Sequence, residues 1–93
     1  MLLSKRPILN LEKTGQIIRK IRIEKGISVR TLQNALGFVN PQAIYNWESG
    51  KNMPSIDNLV ILAEIFEVSL EDLISVDYLG EDISLYYPEM NSA

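Results

Sequence analysis

The chain has 93 residues and contains neither cysteine nor histidine, which excludes disulfides, thiolate metal sites and the commonest general base. Its length suits one small domain with a single core. The formal net charge of −3 hides a division: residues 1–55 hold all nine Lys and Arg with only three acids (Glu12, Glu24, Glu48), while residues 56–93 hold nine acids and no base. One half can therefore face a polyanion that the other half repels, unless the division is only the ordinary unevenness of a small domain.

No stretch suggests a membrane or an export signal. The longest apolar run, "LVILA" from Leu59, is far too short to span a bilayer, and "MLLSKRPILN" lacks the apolar core of a signal peptide. A cytoplasmic protein is the expectation.

Residues 1–10 read as a loose N-terminal arm. From Thr14, a plausible N-cap, the pattern turns helical: Ile17, Ile18, Ile21 and Arg22 fall near one face at three- and four-residue spacing. Lys25 and Gly26 form a basic last turn and a glycine stop. Ser28 caps a second helix with Leu32, Ala35 and Leu36 inward, stopped by Gly37. The third runs from Pro41 to about Glu48, with Asn40 as cap and Pro41 at a position where its missing N–H does no harm. After the loop "GKNMP", Ser55 caps a fourth helix with Ile56, Leu59, Val60, Leu62, Ala63 and Phe66 as its apolar residues. Ser69 and Asp72 make a capping box for a fifth through Leu73 and Ile74. No strand of useful length is visible. The spacing thus predicts an all-α, compact bundle of five short helices over residues 11–75, followed by a short acidic C-terminal tail, residues 76–93.

The third helix carries the functional argument. On a wheel of about 100° per residue, Ile44, Trp47 and Glu48 share the inner side. Gln42, Asn46 and Ser49 lie opposite, flanked by Ala43 and Tyr45. Gln and Asn can each make a bidentate contact with adenine in the major groove, and small neighbours let a helix approach closely. The positive end of the helix dipole, near Asn40, suits a phosphate. An ordinary solvated face would look similar, but a short helix, a glycine turn and a polar-faced helix together form the helix-turn-helix plan, in which the second helix reads bases. Trp47 anchors the helix on the bundle. Glu48, on the inner side, needs a partner, and Arg22 on the inward stripe of the first helix could provide it as a bidentate pair; otherwise Glu48 is exposed at the helix end.

From about Thr14 to Ile74 the sequence resembles the XRE-type family of phage repressor and Cro-like helix-turn-helix regulators. The resemblance rests on "TGQIIRKIRIEKGIS", "LQNALGF", "AIYNWESGKNMPS" and "LVILAEIFEVSLEDLI". It implies a lambda-repressor-like DNA-binding domain, double-stranded DNA as partner, a homodimer on a near-palindromic operator, no cofactor and no enzymatic activity. Carried over by position, Gln42, Ala43 and Asn46 match sites that reach base edges, and Tyr45 adds a base or sugar contact. Ser49, Lys51 and Asn52 match the loop that grips phosphate, and Arg22 with Glu48 match the family's buried ion pair. The first residue of the second helix, often Gln in the family, is here Val29, so Ser28 and Arg30 would take over its backbone contact. The turn "FVNPQ" is one residue longer than usual, which would shift the angle of the third helix in the groove.

The expected function is a sequence-specific DNA-binding transcriptional regulator, acting as a repressor. The alternative is a protein-binding helix-turn-helix module, such as the antitoxin of a toxin–antitoxin pair. The tail, with Tyr78, Leu79, Ile83, Leu85, Tyr86 and Tyr87, is a candidate dimer contact or protein-docking segment; it could equally fold on its own bundle or stay disordered.

Overall fold

The computed structural model describes residues 5–82. In chain order the elements are strand β1 (Lys5–Leu9), helices α1 (Leu11–Glu24), α2 (Val29–Leu36), α3 (Gln42–Glu48) and α4 (Ile56–Phe66), a single 3-10 turn (Leu70–Leu73) and strand β2 (Val76–Asp82). The expectation of an all-α bundle of five helices is therefore corrected twice. The fifth helix is one 3-10 turn, and Val76–Asp82 beyond it form an antiparallel two-stranded ribbon with β1. The residues Ile83, Leu85, Tyr86 and Tyr87 of the acidic tail lie outside the described residues.

Helix boundaries follow local chemistry. Asn10, not Thr14, caps α1: its Oδ1 accepts from the Lys13 N–H at 2.8 Å. Thr14 lies one turn inside the helix and is buried, and its hydroxyl oxygen accepts from the Ser75 N–H at 3.0 Å. Ser28 and Ser55 cap α2 and α4 by accepting from Thr31 N and Asn58 N. Gly37 ends α2 in the left-handed conformation, φ +73°. At the end of α4 the same conformation is forced on Glu67, φ +57°, the one non-glycine residue with positive φ among the described residues. The Ser69–Asp72 capping box is complete in both directions, yet the chain leaves the turn at Ile74 in an extended conformation. The reason is tertiary: Ser75 donates to Thr14 and accepts from the Asn10 N–H at 2.8 Å, which draws the chain out along β1.

The ribbon pairs Leu9 with Val76, Ile8 with Asp77 and Pro7 with Tyr78, then slips in register so that Lys5 faces Asp82. Pro7, with no N–H to give, suits an edge position beside such an irregularity. Asn10 links ribbon to bundle, because its Nδ2 donates to Asp77 Oδ2 at 2.8 Å while its Oδ1 caps α1.

The core comprises Ile18, Leu32, Ile44, Trp47, Leu59, Leu62, Phe66 and Leu73, with contributions from all four helices and the 3-10 turn. Full burial of such a side chain contributes about 1.5–3 kcal/mol. Phe38 sits edge-on to Trp47, ring centroids 5.7 Å apart. Helix α1 approaches α3 closely because residue 15 is glycine. A Cβ there would press on the Trp47 carbonyl oxygen and lie 2.8 Å from that of Glu48.

Candidate nucleic-acid interface

Helix α3 is held from inside. Ile44 is fully buried and Trp47 nearly so. These two fix the helix's rotation, and the rotation decides what faces outward. Gln42 and Tyr45 are exposed, while Ala43 and Asn46 are half-buried along its flanks. At the N-terminal end, Asn40 Oδ1 accepts from the Gln42 N–H at 3.0 Å, so this exposed side chain satisfies a backbone donor that the helix leaves open. Gln42 Nε2 donates to Asn46 Oδ1 at 3.0 Å, which joins the two amides into one unit. Gln42 Oε1 and Asn46 Nδ2 make no other bond among the described residues, so the unit keeps an acceptor on Gln42 and N–H donors on Asn46 for an outside partner. Adenine shows the complementary donor and acceptor, N6–H and N7, in the major groove.

The loop after α3 is tied to the helix through the carbonyls of Tyr45, Trp47 and above all Asn46. The Asn46 oxygen accepts from Lys51 N at 2.9 Å, Asn52 N at 3.4 Å and Ser49 Oγ at 3.2 Å. Gly50 adopts φ +80°, and a Cβ there would lie 2.7 Å from Glu12 Cα, so the loop lies against the first turn of α1. The side chains of Ser49, Lys51 and Asn52 are exposed on this pinned backbone.

Below the loop, Arg22 and Glu48 form a bidentate pair: Nε to Oε2 at 2.7 Å and Nη2 to Oε1 at 3.0 Å. Both side chains are about nine-tenths buried, at 11% and 7% exposure. Arg22 Nη1 donates to the Ile27 carbonyl at 3.0 Å, so the guanidinium also fastens the α1–α2 turn. The hydrogen bond to Glu48 holds the Arg22 guanidinium above its ordinary range, against the opposing effect of burial. Among the described residues no buried side-chain nitrogen or oxygen lacks a partner.

At the start of α2, Ser28 Oγ accepts from Thr31 N and donates to Thr31 Oγ1 at 2.9 Å. Arg30, two residues on, is exposed. An open groove of about 430 Å³ separates α2 from α3, lined by Val29, Arg30, Gln33, Asn34, Pro41 and Tyr45. The structure thus brings Gln42, Tyr45 and Asn46 onto one face, with Arg30 and Asn40 on one side of it and Ser49, Lys51 and Asn52 at the other end of α3.

Sequence reasoning passed over Gln33. Its Nε2 donates to the carbonyls of Phe38 and Val39, at 3.3 and 3.2 Å, and braces the turn that delivers α3. An amide on a short helix gives no local sign of reaching five and six residues ahead. Among the described residues, no three His, Cys, Asp or Glu side chains are placed to hold a metal ion, and no helix is long and apolar enough to cross a membrane.

A family model described as helix-turn-helix matches residues 18–73. The chain is similar to the HTH-type transcriptional activator BcrR of Enterococcus faecalis, 31% identical over 66 residues, which is 71% of this chain and 30% of that protein. Among solved structures it resembles the restriction-modification controller protein C.AhdI of Aeromonas hydrophila, at 30% identity and a TM-score of 0.61, with 68% of this chain and 94% of that one covered. It also resembles the clp gene regulator ClgR of C. glutamicum, at 26% identity and a TM-score of 0.61, covering 71% and 84%. The chain spans under a third of the length of the curated relatives it matches.

Proposed function

The chain belongs to the XRE-type helix-turn-helix family, and from that premise we propose that it binds double-stranded DNA and regulates transcription. The observation that carries this reading is the outward face of α3: a joined pair of amides, Gln42 and Asn46, beside Tyr45 and Ala43, on a helix whose rotation is fixed by Ile44 and Trp47. These four residues read base edges. Ser28, Arg30, Asn40, Ser49, Lys51 and Asn52 hold the phosphates on either side.

The finer reading is a cytoplasmic repressor that binds a near-palindromic operator as a homodimer. One unit of this size covers one half-site, and two half-sites one turn apart, about 34–36 Å, suit a two-fold pair. Segment 76–93 is our candidate for the contact between the two. A chain ending at Asp82 keeps the whole ribbon; if it sediments as wild type does, residues 83–93 play no part in that contact.

The test of DNA binding is selection from random duplex DNA, followed by titration at several salt concentrations. A log–log slope of about −0.9 per phosphate contact is expected. Gln42→Ala or Asn46→Ala should lower affinity for the selected duplex by about 1–3 kcal/mol and leave a scrambled duplex unchanged. Lys51→Ala and Arg30→Ala should weaken both duplexes alike and reduce the slope by about one. Equal losses on both duplexes for the two amide variants would remove α3 as the reader.

A further inference from the structure

The most exposed large apolar side chain among the described residues is Val39, at 96%, followed by Ile56 at 70%. Nothing in the bundle covers it. A single exposed apolar residue is ordinary on a protein surface, but this one is held in place. Its carbonyl accepts from Gln33 Nε2, as does that of Phe38 before it. Asn40 after it is fixed by the bond from Gln42 N. Phe38 itself turns inward onto Trp47. The turn is therefore braced on both sides of a β-branched side chain that projects into water at the head of α3. A braced, stiff side chain loses little freedom when it makes a contact.

We infer that Val39 is a specificity-determining residue that contacts the 5-methyl group of a thymine in the major groove. The inference rests on the reading of α3 as the base-contacting helix. In that motif the N-terminal end of the helix meets the base edges, and Val39 stands three residues ahead of Gln42. The chain between them spans at most about 10–11 Å, or about three base pairs at 3.4 Å each. The thymine lies within that window of the base pair that Gln42 reads. The methyl group is the one apolar feature the major groove offers, and an apolar side chain is its natural complement.

The test uses the duplex selected by the wild-type chain. Each thymine within about three pairs of the Gln42-dependent position is replaced in turn by deoxyuridine, which removes only the methyl group. One replacement should weaken wild type by about three- to tenfold. Val39→Ala should lose the same factor on the thymine duplex and no longer distinguish thymine from deoxyuridine there. The variant removes no packing, so it should melt with wild type. Three results overturn the inference: Val39→Ala binding the thymine duplex as tightly as wild type, a loss equal on all duplexes including a scrambled one, or a selected site with no thymine in the window. Failure of the wild-type chain to show salt-dependent duplex binding would instead overturn the DNA-binding reading beneath it.

Discussion

Arg22 and Glu48 tie α1, α3 and the α1–α2 turn at one point. Glu48→Ala would leave a buried guanidinium without its carboxylate, and should lower the unfolding free energy by about 3–5 kcal/mol in a denaturant titration. The sign of the pH effect follows from the raised Arg22 value. A base held more tightly protonated in the folded chain stabilises it fully below its unfolded pKa, and the contribution is lost only as pH rises through the folded value. That window lies at the alkaline extreme, so the wild-type advantage over Arg22→Met should stay flat from about pH 6 to about pH 10. A decline inside that range would show that the pair is not held by a permanently charged guanidinium. Gln42 and Asn46 make a different residue-scale prediction. Because each amide holds the other, their alanine variants should not add. The double variant should lose less duplex affinity than the sum by about 0.5 kcal/mol or more in a double-mutant cycle. The inward and outward sides of α3 were legible from helical phase alone, since Ile44 and Trp47 define the buried direction. The Gln42–Asn46 bond and the Gln33 brace were not, because an amide's choice of partner depends on neighbours that the phase does not specify.

Elements meet at two constrained backbone positions. Gly15 lets α1 lie against the carbonyl oxygens of α3. Gly15→Ala should destabilise by about 1–3 kcal/mol or more, since backbone and not a flexible side chain would have to move. At about 4–8 °C per kcal/mol for a chain this size, thermal melting would reveal it; an unchanged midpoint would mean the helices can slide apart freely. Glu67 gives the opposite sign. It sits in the left-handed region at the C-terminal end of α4, where a negative charge is also unfavourable. Glu67→Gly relieves both effects, against the greater freedom of glycine when unfolded. A net gain of about 0.5–1 kcal/mol is expected from equilibrium unfolding. The caps Ser28, Ser55 and Ser69 and the stop at Gly37 were readable because they act within one turn. Thr14 was misread as a cap because its hydroxyl serves Ser75, 61 residues away.

Across the whole molecule, the ribbon is what the sequence concealed. Its partners are some 70 residues apart, and both faces are wet: Ile8, Leu9, Val76, Tyr78 and Leu79 are all exposed to a substantial degree. A strand with no buried face has no alternation to display. Two strands alone are marginal in water, so the ribbon depends on its attachment to the bundle at Asn10. Asn10→Ala removes the α1 cap and the bond to Asp77 together. It should cost about 1 kcal/mol in global stability and speed amide hydrogen exchange in residues 5–9 and 76–79 more than in α3 or α4. Uniform acceleration would show that ribbon and bundle open as one unit.

The antiparallel register has a mechanical consequence. Lys5 and Asp82 face each other at the open end of the ribbon, and Leu9 and Val76 at the end joined to the bundle. Tension applied between residues 5 and 82 therefore loads the backbone bonds one after another, as in a zipper, instead of shearing them together. In an optical trap the ribbon should peel at low force, and the tear should arrest at the Asn10–Ser75 bond, where the load first reaches the caps and core of the helices. The ribbon then acts as a compliant tether that yields before the face of α3 is disturbed.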